Sequence, residues 1–303
     1  MQSDACARVF SAGDLGSARF APVSLAVFGH PVAHSLSPLM QNAALAEMAK
    51  ADPRFSEWAY YKFDVPPEEL CGALPEFGKA GFAGINLTIP HKEVVFSCAE
   101  KNGIEFDEFS RLAGACNTLS RRGDGWLGTN TDGFGLARAL EISCGAGFEN
   151  SDVVIFGAGG AAKAACFRAL LDGCASLRIS NRTRSRMDAL LGAVSAAGYS
   201  ASALSDLSEI PDGAVLINAT SVGLGPDDPP VADFARIPKG CVFFDMPYAR
   251  GRETASVLAA RAAGLRAAAS GLEMLAWQGA KSLSVWTGGP LMGAVMSEAL
   301  GRA

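Results

Sequence analysis

A short apolar run that ends in closely spaced glycines constrains the fold of this chain more than any other segment. Residues 153–156 predict a buried strand, and the Ala-rich stretch from Lys163 onward predicts a helix. Between them, Gly157, Gly159 and Ala162 follow the G-x-G-x-x-G/A spacing of a dinucleotide-binding turn, where small residues let a pyrophosphate approach a helix N-terminus. A strand-to-helix turn with a purely structural role is the alternative. We expect a cofactor to contact Gly157, Ala158, Gly159, Gly160 and Ala161.

A basic turn after the next predicted strand indicates which dinucleotide is bound. Residues 181–186 read Asn-Arg-Thr-Arg-Ser-Arg and contain no carboxylate. An NAD site would place Asp or Glu here to accept hydrogen bonds from the ribose hydroxyls, whereas arginines suit the 2′-phosphate of NADP. The sequence therefore predicts NADP, although a solvated basic turn that opens the next helix is the alternative. The residues expected to hold this end of NADP are Asn181, Arg182, Thr183 and Arg186.

Composition fits two globular domains and argues against several kinds of partner. The chain has 303 residues, 49% hydrophobic and 19% charged, and its net charge of −5 argues against a nucleic-acid partner. We find no apolar run near the ~18 residues of a membrane span. The three histidines lack metal-ligand spacing, so we expect no metal site. The eight cysteines contain no C-x-x-C pair and are interpreted as reduced thiols of a cytoplasmic protein, and residues 1–22 as a loose extension.

Predicted strands and helices alternate on both sides of the glycine loop. Such alternation predicts an α/β fold with parallel sheets and helices on both faces. A second alternating unit begins near Asp132, which is where we expect a domain boundary. The predicted strands cover residues 23–28, 60–65, 84–89, 177–180, 215–219, 242–245 and 265–269, with a hairpin over 115–128.

Polar residues follow several predicted strands of the first half. They occupy residues 29–38, 86–92, 117–118 and 129–133. Ligands of open α/β sheets bind at the carboxyl ends of strands, so we expect these loops to converge on one crevice. Their hydroxyls, amides, one lysine and one carboxylate suit a small polyhydroxylated anion. The alternative is that they are ordinary turn residues, and Ser37 in particular is predicted to cap its helix.

Eight ordered segments, from about residue 23 to the C-terminus, resemble the shikimate dehydrogenase family. They read GHPVAHSLSP at 29–38, NLTIPHK at 86–92, GACNT at 114–118, NTDG at 130–133, GAGGA at 157–161, NRT at 181–183, NATSVG at 218–223 and GLEMLAWQ at 271–278. The resemblance implies NADP-linked, reversible reduction of 3-dehydroshikimate to shikimate in the route to chorismate and aromatic amino acids. It also implies a substrate domain of residues 1–131 plus 271–303, whose last helices pack back on it, and a Rossmann NADP-binding domain of residues 132–270.

The resemblance further implies roles for single residues. Lys92 and Asp132 would form the catalytic pair, while Ser35 and Ser37 would bind the substrate carboxylate. Ring hydroxyls would be held by Asn86, Thr88, Asn117, Asp132 and Gln278, and the nicotinamide end lined by Met246, Tyr248 and Gly271, with Tyr248 also reaching substrate. The chain departs from the usual family pattern at Leu87, Cys116, Pro247, Arg250, Gly251, Arg252, Trp277 and Ser282, which leaves loop detail and substrate tolerance open.

Two alternative functions stay open at this point. A quinate/shikimate dehydrogenase with broader substrate or cofactor use is one, although the arginine turn argues against the NAD-linked, quinate-degrading type. A regulatory NADP-binding protein without catalysis is the other; it would be marked by loss of Lys92 or Asp132, and both are present. We expect a small-molecule substrate, no membrane partner, and a monomer or homodimer.

Overall fold

The computed structural model describes residues 8–225, 227–249 and 251–301, which form two compact units. The first unit contains the described residues up to Thr131 together with those from Ala276 onward, and the second spans Asp132–Leu275. Residues 1–7 of the predicted extension, with Cys6, and Arg250 of the unusual segment lie outside the described residues. Within the described ranges, we find no helix that combines the length and apolar character needed to span a bilayer.

The first unit is built on a seven-stranded sheet in the order β1-β3-β2-β4-β6-β7-β5. Strand β6 runs antiparallel to β4 and β7, and the other neighbouring strands are parallel, so the predicted mainly parallel sheet is confirmed. Its strands are β1 (Val9–Ser11), β2 (Val23–Gly29), β3 (Trp58–Asp64), β4 (Phe82–Leu87), β5 (Ile104–Phe106), β6 (Thr118–Arg122) and β7 (Gly125–Thr129).

The second unit carries a six-stranded parallel sheet in the order β10-β9-β8-β11-β12-β13. Counted from its first strand, this is the 3-2-1-4-5-6 order of a Rossmann fold, with the order reversing beside the first strand. The predicted Rossmann class is therefore confirmed. The strands are β8 (Asp152–Phe156), β9 (Ser176–Ser180), β10 (Ser202–Ala203), β11 (Val215–Asn218), β12 (Val242–Asp245) and β13 (Ala267–Ser270).

Eleven α-helices connect or cover these strands in the described residues. The last of them packs on the first, and the amide of Gln41 donates to the carbonyl of Gly279 at 3.0 Å, which ties the C-terminal helices to the first unit as predicted. The helices are α1 (Ser37–Ala51), α2 (Leu70–Lys79), α3 (His91–Val94), α4 (Ala99–Asn102), α5 (Glu108–Ala113), α6 (Asp132–Cys144), α7 (Gly160–Leu171), α8 (Arg184–Ala196), α9 (Ala255–Ala262), α10 (Leu272–Thr287) and α11 (Gly293–Gly301).

The interpretation of residues 1–22 as a loose extension is wrong for its described part. Residues 9–11 form β1, which pairs in parallel with β3. Phe10 is only 3% exposed, and its ring lies 5.3 Å from that of Phe20 and 5.4 Å from that of Phe63. A strand of three residues is too short to show a period of two, so the burial of these aromatic side chains decides the structure here.

The interpretation of all cysteines as reduced thiols is wrong for two of them. Cys71 in α2 and Cys98, in the turn after α3, form a disulfide with Cα atoms 5.0 Å apart. The pair is 27 residues apart in sequence, a spacing that carries no signal by itself. The free cysteines among the described residues are Cys116, Cys144, Cys166, Cys174 and Cys241.

Candidate active site

The carboxyl end of β2 meets that of β4 closely because a glycine stands between them. A Cβ added to Gly29 would lie 2.5 Å from Cγ2 of Thr88, so a larger residue would displace that side chain. The backbone N–H of Thr88 donates to the carbonyl of Phe28 at 2.9 Å. The structure therefore places Thr88 directly beside the loop that carries Ser35 and Ser37.

The two serines of that loop adopt different positions at the start of α1. Ser37 is the first residue of the helix and 7% exposed, so the prediction that it caps the helix is wrong. The hydroxyl of Ser35 instead accepts a hydrogen bond from the backbone N–H of Ser37 at 3.3 Å. The helix thus begins one residue earlier than a Ser37 cap would require. The hydroxyl of Ser37 does not cap the helix and can contact another side chain.

A buried tyrosine connects Ser37 to the next predicted site residue. Tyr60 on β3 is fully buried, which raises the pKa of its phenol well above the usual value, and its hydroxyl hydrogen-bonds with Ser37. The same hydroxyl donates to Oδ1 of Asn86 at 2.8 Å. Because the phenol stays protonated, it acts as a fixed donor between the predicted carboxylate-binding and hydroxyl-binding residues.

The amide nitrogen of Asn86 points into a set of acceptors. Its Nδ2 lies 3.0 Å from the backbone oxygen of Asn117, from Oγ1 of Thr118 and from Oγ of Ser282. The backbone carbonyl can only accept, so this contact fixes which end of the amide carries the nitrogen. Asn86 consequently turns its oxygen toward Tyr60.

Asn117 joins the same cluster to the C-terminal helix. Its Nδ2 donates to Oγ1 of Thr131 at 3.0 Å and to Oε1 of Gln278 at 3.2 Å. Its Oδ1 accepts from the backbone N–H of Thr131 at 2.8 Å. Asn117 is 2% exposed and Gln278 is half-buried, so the first unit brings three of the predicted hydroxyl-binding residues into one hydrogen-bonded cluster.

Lys92 lies in the short helix α3, whose backbone is held from both sides. The ring of His91 is fully buried and its Nε2 donates to the carbonyl of Val65 at 2.8 Å, while burial lowers the pKa of this imidazole. The carbonyl of Lys92 accepts from the N–H of Cys116 at 2.8 Å. These bonds fix the position from which the half-buried Lys92 side chain extends.

Asp132 belongs to the second unit, where it is the first residue of α6 and 4% exposed. Its chain neighbour Thr131 is the residue bound by Asn117 in the first unit. A carboxylate in the first turn of a helix is favoured by the N–H groups that point toward it. The structure thus places Asp132 directly after the segment that Asn117 holds.

The glycine loop of the second unit has the geometry that a pyrophosphate requires. Gly157 has φ +123°, and a Cβ there would lie 2.9 Å from the carbonyl oxygen of Ala219. A Cβ on Gly159 would meet no atom within 4 Å, so the space beside this residue is open. Helix α7 begins at Gly160 and directs its first N–H groups at that space. The loop therefore fits a dinucleotide.

The basic turn follows β9, as expected for the ribose end of such a ligand. Arg184 forms an ion pair with Asp188, with its Nε 3.0 Å from Oδ1. Arg182 and Arg186 are exposed, and Asn181 closes the turn by donating from Nδ2 to the carbonyl of Thr183 at 2.9 Å. The turn offers two guanidinium groups to an anionic ligand and presents no carboxylate at the end of β9.

The residues expected at the nicotinamide end follow β12 and β13. A Cβ on Gly271 would lie 2.0 Å from the carbonyl oxygen of Met246, so only glycine fits. The N–H of Gly271 donates to the carbonyl of Pro247 at 3.2 Å. Tyr248 is half-buried, and burial raises the pKa of its phenol. Gly271 is thus held against the backbone of Met246 and Pro247, the two residues that precede Tyr248.

A buried carboxylate holds the start of that segment. Asp245 is fully buried, and its oxygens accept from Nδ2 of Asn218 at 2.6 Å and from the hydroxyl of Thr254. Burial raises the pKa of Asp245 to about 6, against the opposing effect of these two donors. Asn218 also donates to the carbonyl of Val222 at 2.9 Å, so its amide joins the turn after β11 to the last residue of β12.

Comparison with known proteins places this chain among known enzymes. Residues 27–119 match the family model of the shikimate dehydrogenase substrate binding domain. Over 272 residues the chain is 37% identical to the shikimate dehydrogenase (NADP(+)) of Geobacter metallireducens, a match that covers 87% of this chain and 91% of the relative. The chain belongs to the shikimate dehydrogenase family.

Two further relatives of this shikimate dehydrogenase family member agree with the assignment. The shikimate dehydrogenase (NADP(+)) of Rubrobacter xylanophilus is 40% identical over 268 residues, covering 86% of this chain and 89% of the relative. The crystal structure of shikimate 5-dehydrogenase from Thermus thermophilus in complex with NADP(H) and shikimate is 34% identical. It superimposes with a TM-score of 0.79 and covers 92% of this chain and 99% of that chain.

Some residues of this shikimate dehydrogenase family site were missed by sequence reasoning. Tyr60, Thr118 and Ser282 all contact Asn86, but none was assigned a role: Thr118 was expected only among the polar residues of the crevice, and Ser282 only as a departure from the family pattern. Its position four residues after Gln278 puts both on one helix face, which was an available signal. Tyr60 gave no such signal, because its aromatic ring is typical of any buried strand.

Proposed function

We propose that this protein catalyses the reversible, NADP-dependent reduction of 3-dehydroshikimate to shikimate, in the biosynthesis of chorismate and aromatic amino acids. The observation that carries the proposal is the buried cluster of Ser37, Asn86, Asn117 and Gln278, in a chain whose relatives carry this enzyme name. In the proposal, residues 1–131 plus 271–303 bind substrate and residues 132–270 bind NADP. The enzyme acts on a small molecule in the cytoplasm as a monomer or homodimer.

The polar cluster matches the chemistry of a hydroxylated carboxylic acid. Ser35 and Ser37 offer hydroxyl donors at the N-terminal end of α1, where the helix dipole favours an anion. Asn86, Thr88, Asn117 and Gln278 offer amide and hydroxyl groups to ring hydroxyls. In the proposal, Tyr248 also contacts substrate.

Lys92 and Asp132 are assigned the proton chemistry. When bound, NADPH supplies the hydride, and the substrate oxygen then gains negative charge. The ammonium of Lys92 donates a hydrogen bond and then a proton to that oxygen. Asp132 orients the ammonium and accepts from a neighbouring hydroxyl of the substrate. Loss of a general acid costs about 10²–10⁴ in rate, which sets the scale of the test below.

The cofactor is assigned to two turns and one segment of the second unit. The pyrophosphate is bound by Gly157, Ala158, Gly159, Gly160 and Ala161. The 2′-phosphoribose is bound by Asn181, Arg182, Thr183 and Arg186, and the nicotinamide lies beside Met246 and Gly271. The open space at Gly159 and the carboxylate-free turn after β9 support this assignment. Two charge-assisted contacts would favour NADP over NAD by about a hundredfold.

An absorbance assay at the NADPH band tests the proposal. Purified protein should oxidise NADPH with 3-dehydroshikimate and, in reverse, reduce NADP with shikimate in preference to quinate. Lys92→Ala should lower kcat by about 10²–10⁴ with little effect on NADPH affinity. Lys79→Ala is the control, since Lys79 pairs with the exposed Glu76 at 2.9 Å. Absence of turnover in the wild type refutes the proposal, and a strong preference for quinate with NAD replaces it with the quinate-degrading reaction.

A further inference from the structure

The hydroxyl of Ser282 is a junction within the polar cluster of the first unit. It donates to the carbonyl of Gln278, one turn earlier in α10, at 3.0 Å. Its oxygen also lies 3.0 Å from Nδ2 of Asn86, 2.8 Å from Oγ1 of Thr118 and 3.1 Å from Oγ1 of Thr131. Ser282 is fully buried. One side chain therefore joins the helix that carries Gln278 to strands β4 and β6.

The directions of these hydrogen bonds determine what Asn86 presents to a ligand. The Nδ2 group of Asn86 can only donate, so Oγ of Ser282 accepts from it, while the Ser282 hydroxyl donates to the carbonyl of Gln278. Together with the carbonyl of Asn117 and the hydroxyl of Thr118, Ser282 holds the nitrogen end of the amide inward, and Oδ1 faces the hydroxyl of Tyr60. An amide oxygen accepts two hydrogen bonds, so Asn86 can receive a second one from a ligand hydroxyl.

We propose that Ser282 is a positioning residue for the reaction: it holds the amide of Asn86 and the helical turn of Gln278 in the orientation that receives ring hydroxyls. This inference rests on the proposed function. Residues four apart share a helix face, so Gln278 and Ser282 approach the sheet together.

Calorimetric titration of Ser282→Ala with shikimate tests the inference without requiring turnover. Loss of one buried hydrogen bond should weaken shikimate binding about 3- to 10-fold, while NADP binding stays within about twofold. Cyclohex-1-ene-1-carboxylate has the carboxylate and ring but no hydroxyls, so its affinity should be the same for variant and wild type. Ser284→Ala is the matched control, because this hydroxyl on the same helix donates to Gly289 at 2.8 Å, outside the cluster.

Each outcome decides a separate point. Shikimate affinity within about twofold of wild type in Ser282→Ala overturns the inference. An equal loss for shikimate and for the hydroxyl-free acid also overturns it, since Ser282 would then only support the fold. A wild type that binds shikimate but does not turn it over refutes the proposed function alone, because the affinity ratio still measures Ser282. A wild type that binds no shikimate refutes both.

Discussion

Asp245 is the residue whose environment most clearly alters a titration. Its carboxyl is fully buried, and its pKa is raised from 3.8 to about 6. The folded state therefore binds a proton more tightly than the unfolded chain does. The stability that this group contributes is fully present below about pH 4 and is lost as the pH rises through about 6.

Replacing this carboxyl by a neutral amide should remove that pH dependence. For Asp245→Asn, the free energy of unfolding relative to wild type should rise between pH 4 and pH 7, by on the order of 3 kcal/mol. Urea unfolding at several pH values measures the difference. Asp188→Asn, which changes an exposed carboxylate in α8, serves as the control. A difference for Asp245→Asn that does not change with pH would show that Asp245 titrates normally.

At the scale of elements, the turn after β9 and the first turn of α8 should together set cofactor choice. Arg182→Ala and Arg186→Ala should each raise the KM for NADP about 10-fold or more, because each removes a charge-assisted hydrogen bond, and should leave the KM for NAD almost unchanged. Arg184→Ala should have a smaller effect, since Asp188 already holds that guanidinium. Steady-state kinetics with both cofactors measure this. Equal losses for NADP and NAD would place the arginines away from the 2′-phosphate.

Elements with a strong local pattern were predictable, and those defined by distant partners were not. The strand, glycine turn and helix at 152–171 carry their own signal, and β12 has its predicted bounds. In contrast, β1 forms because it pairs with β3 and because the ring of Phe10 packs against other aromatic rings. The Asn86 cluster is similar: its amides were expected from motifs, but its partner Ser282 comes from 196 residues away. The spacing of four residues places Ser282 on the helix face of Gln278, but no local pattern shows which strand that face contacts.

For the whole molecule, a count of free thiols tests the disulfide between Cys71 in α2 and Cys98 in the turn after α3. Under denaturing conditions, alkylation after reduction should label two more cysteines than alkylation without reductant, because Cys71 and Cys98 are joined. Mass spectrometry measures the increment. Equal labelling in both conditions would show that the pair is reduced in the protein as isolated.

The disulfide should also contribute to stability. It closes a loop between residues 27 apart, so loop-closure entropy gives about 3.5 kcal/mol in the chain-entropy model. Cys71→Ser should lose that contribution in urea unfolding, while Cys174→Ser, at a half-buried free thiol, should lose much less. A similar loss in both variants would mean that packing alone explains it.

The first unit is assembled from two stretches of chain that flank the second unit, and this orders events during synthesis. A ribosome releases strands β1 to β7 first, then all of Asp132–Leu275, and only afterwards the part of α10 that carries Gln278 and Ser282. The second unit is continuous in sequence, so it can finish folding before the C-terminal helices of the first unit have been synthesised. A nascent chain therefore completes the proposed substrate-binding cluster last, when its final helices emerge.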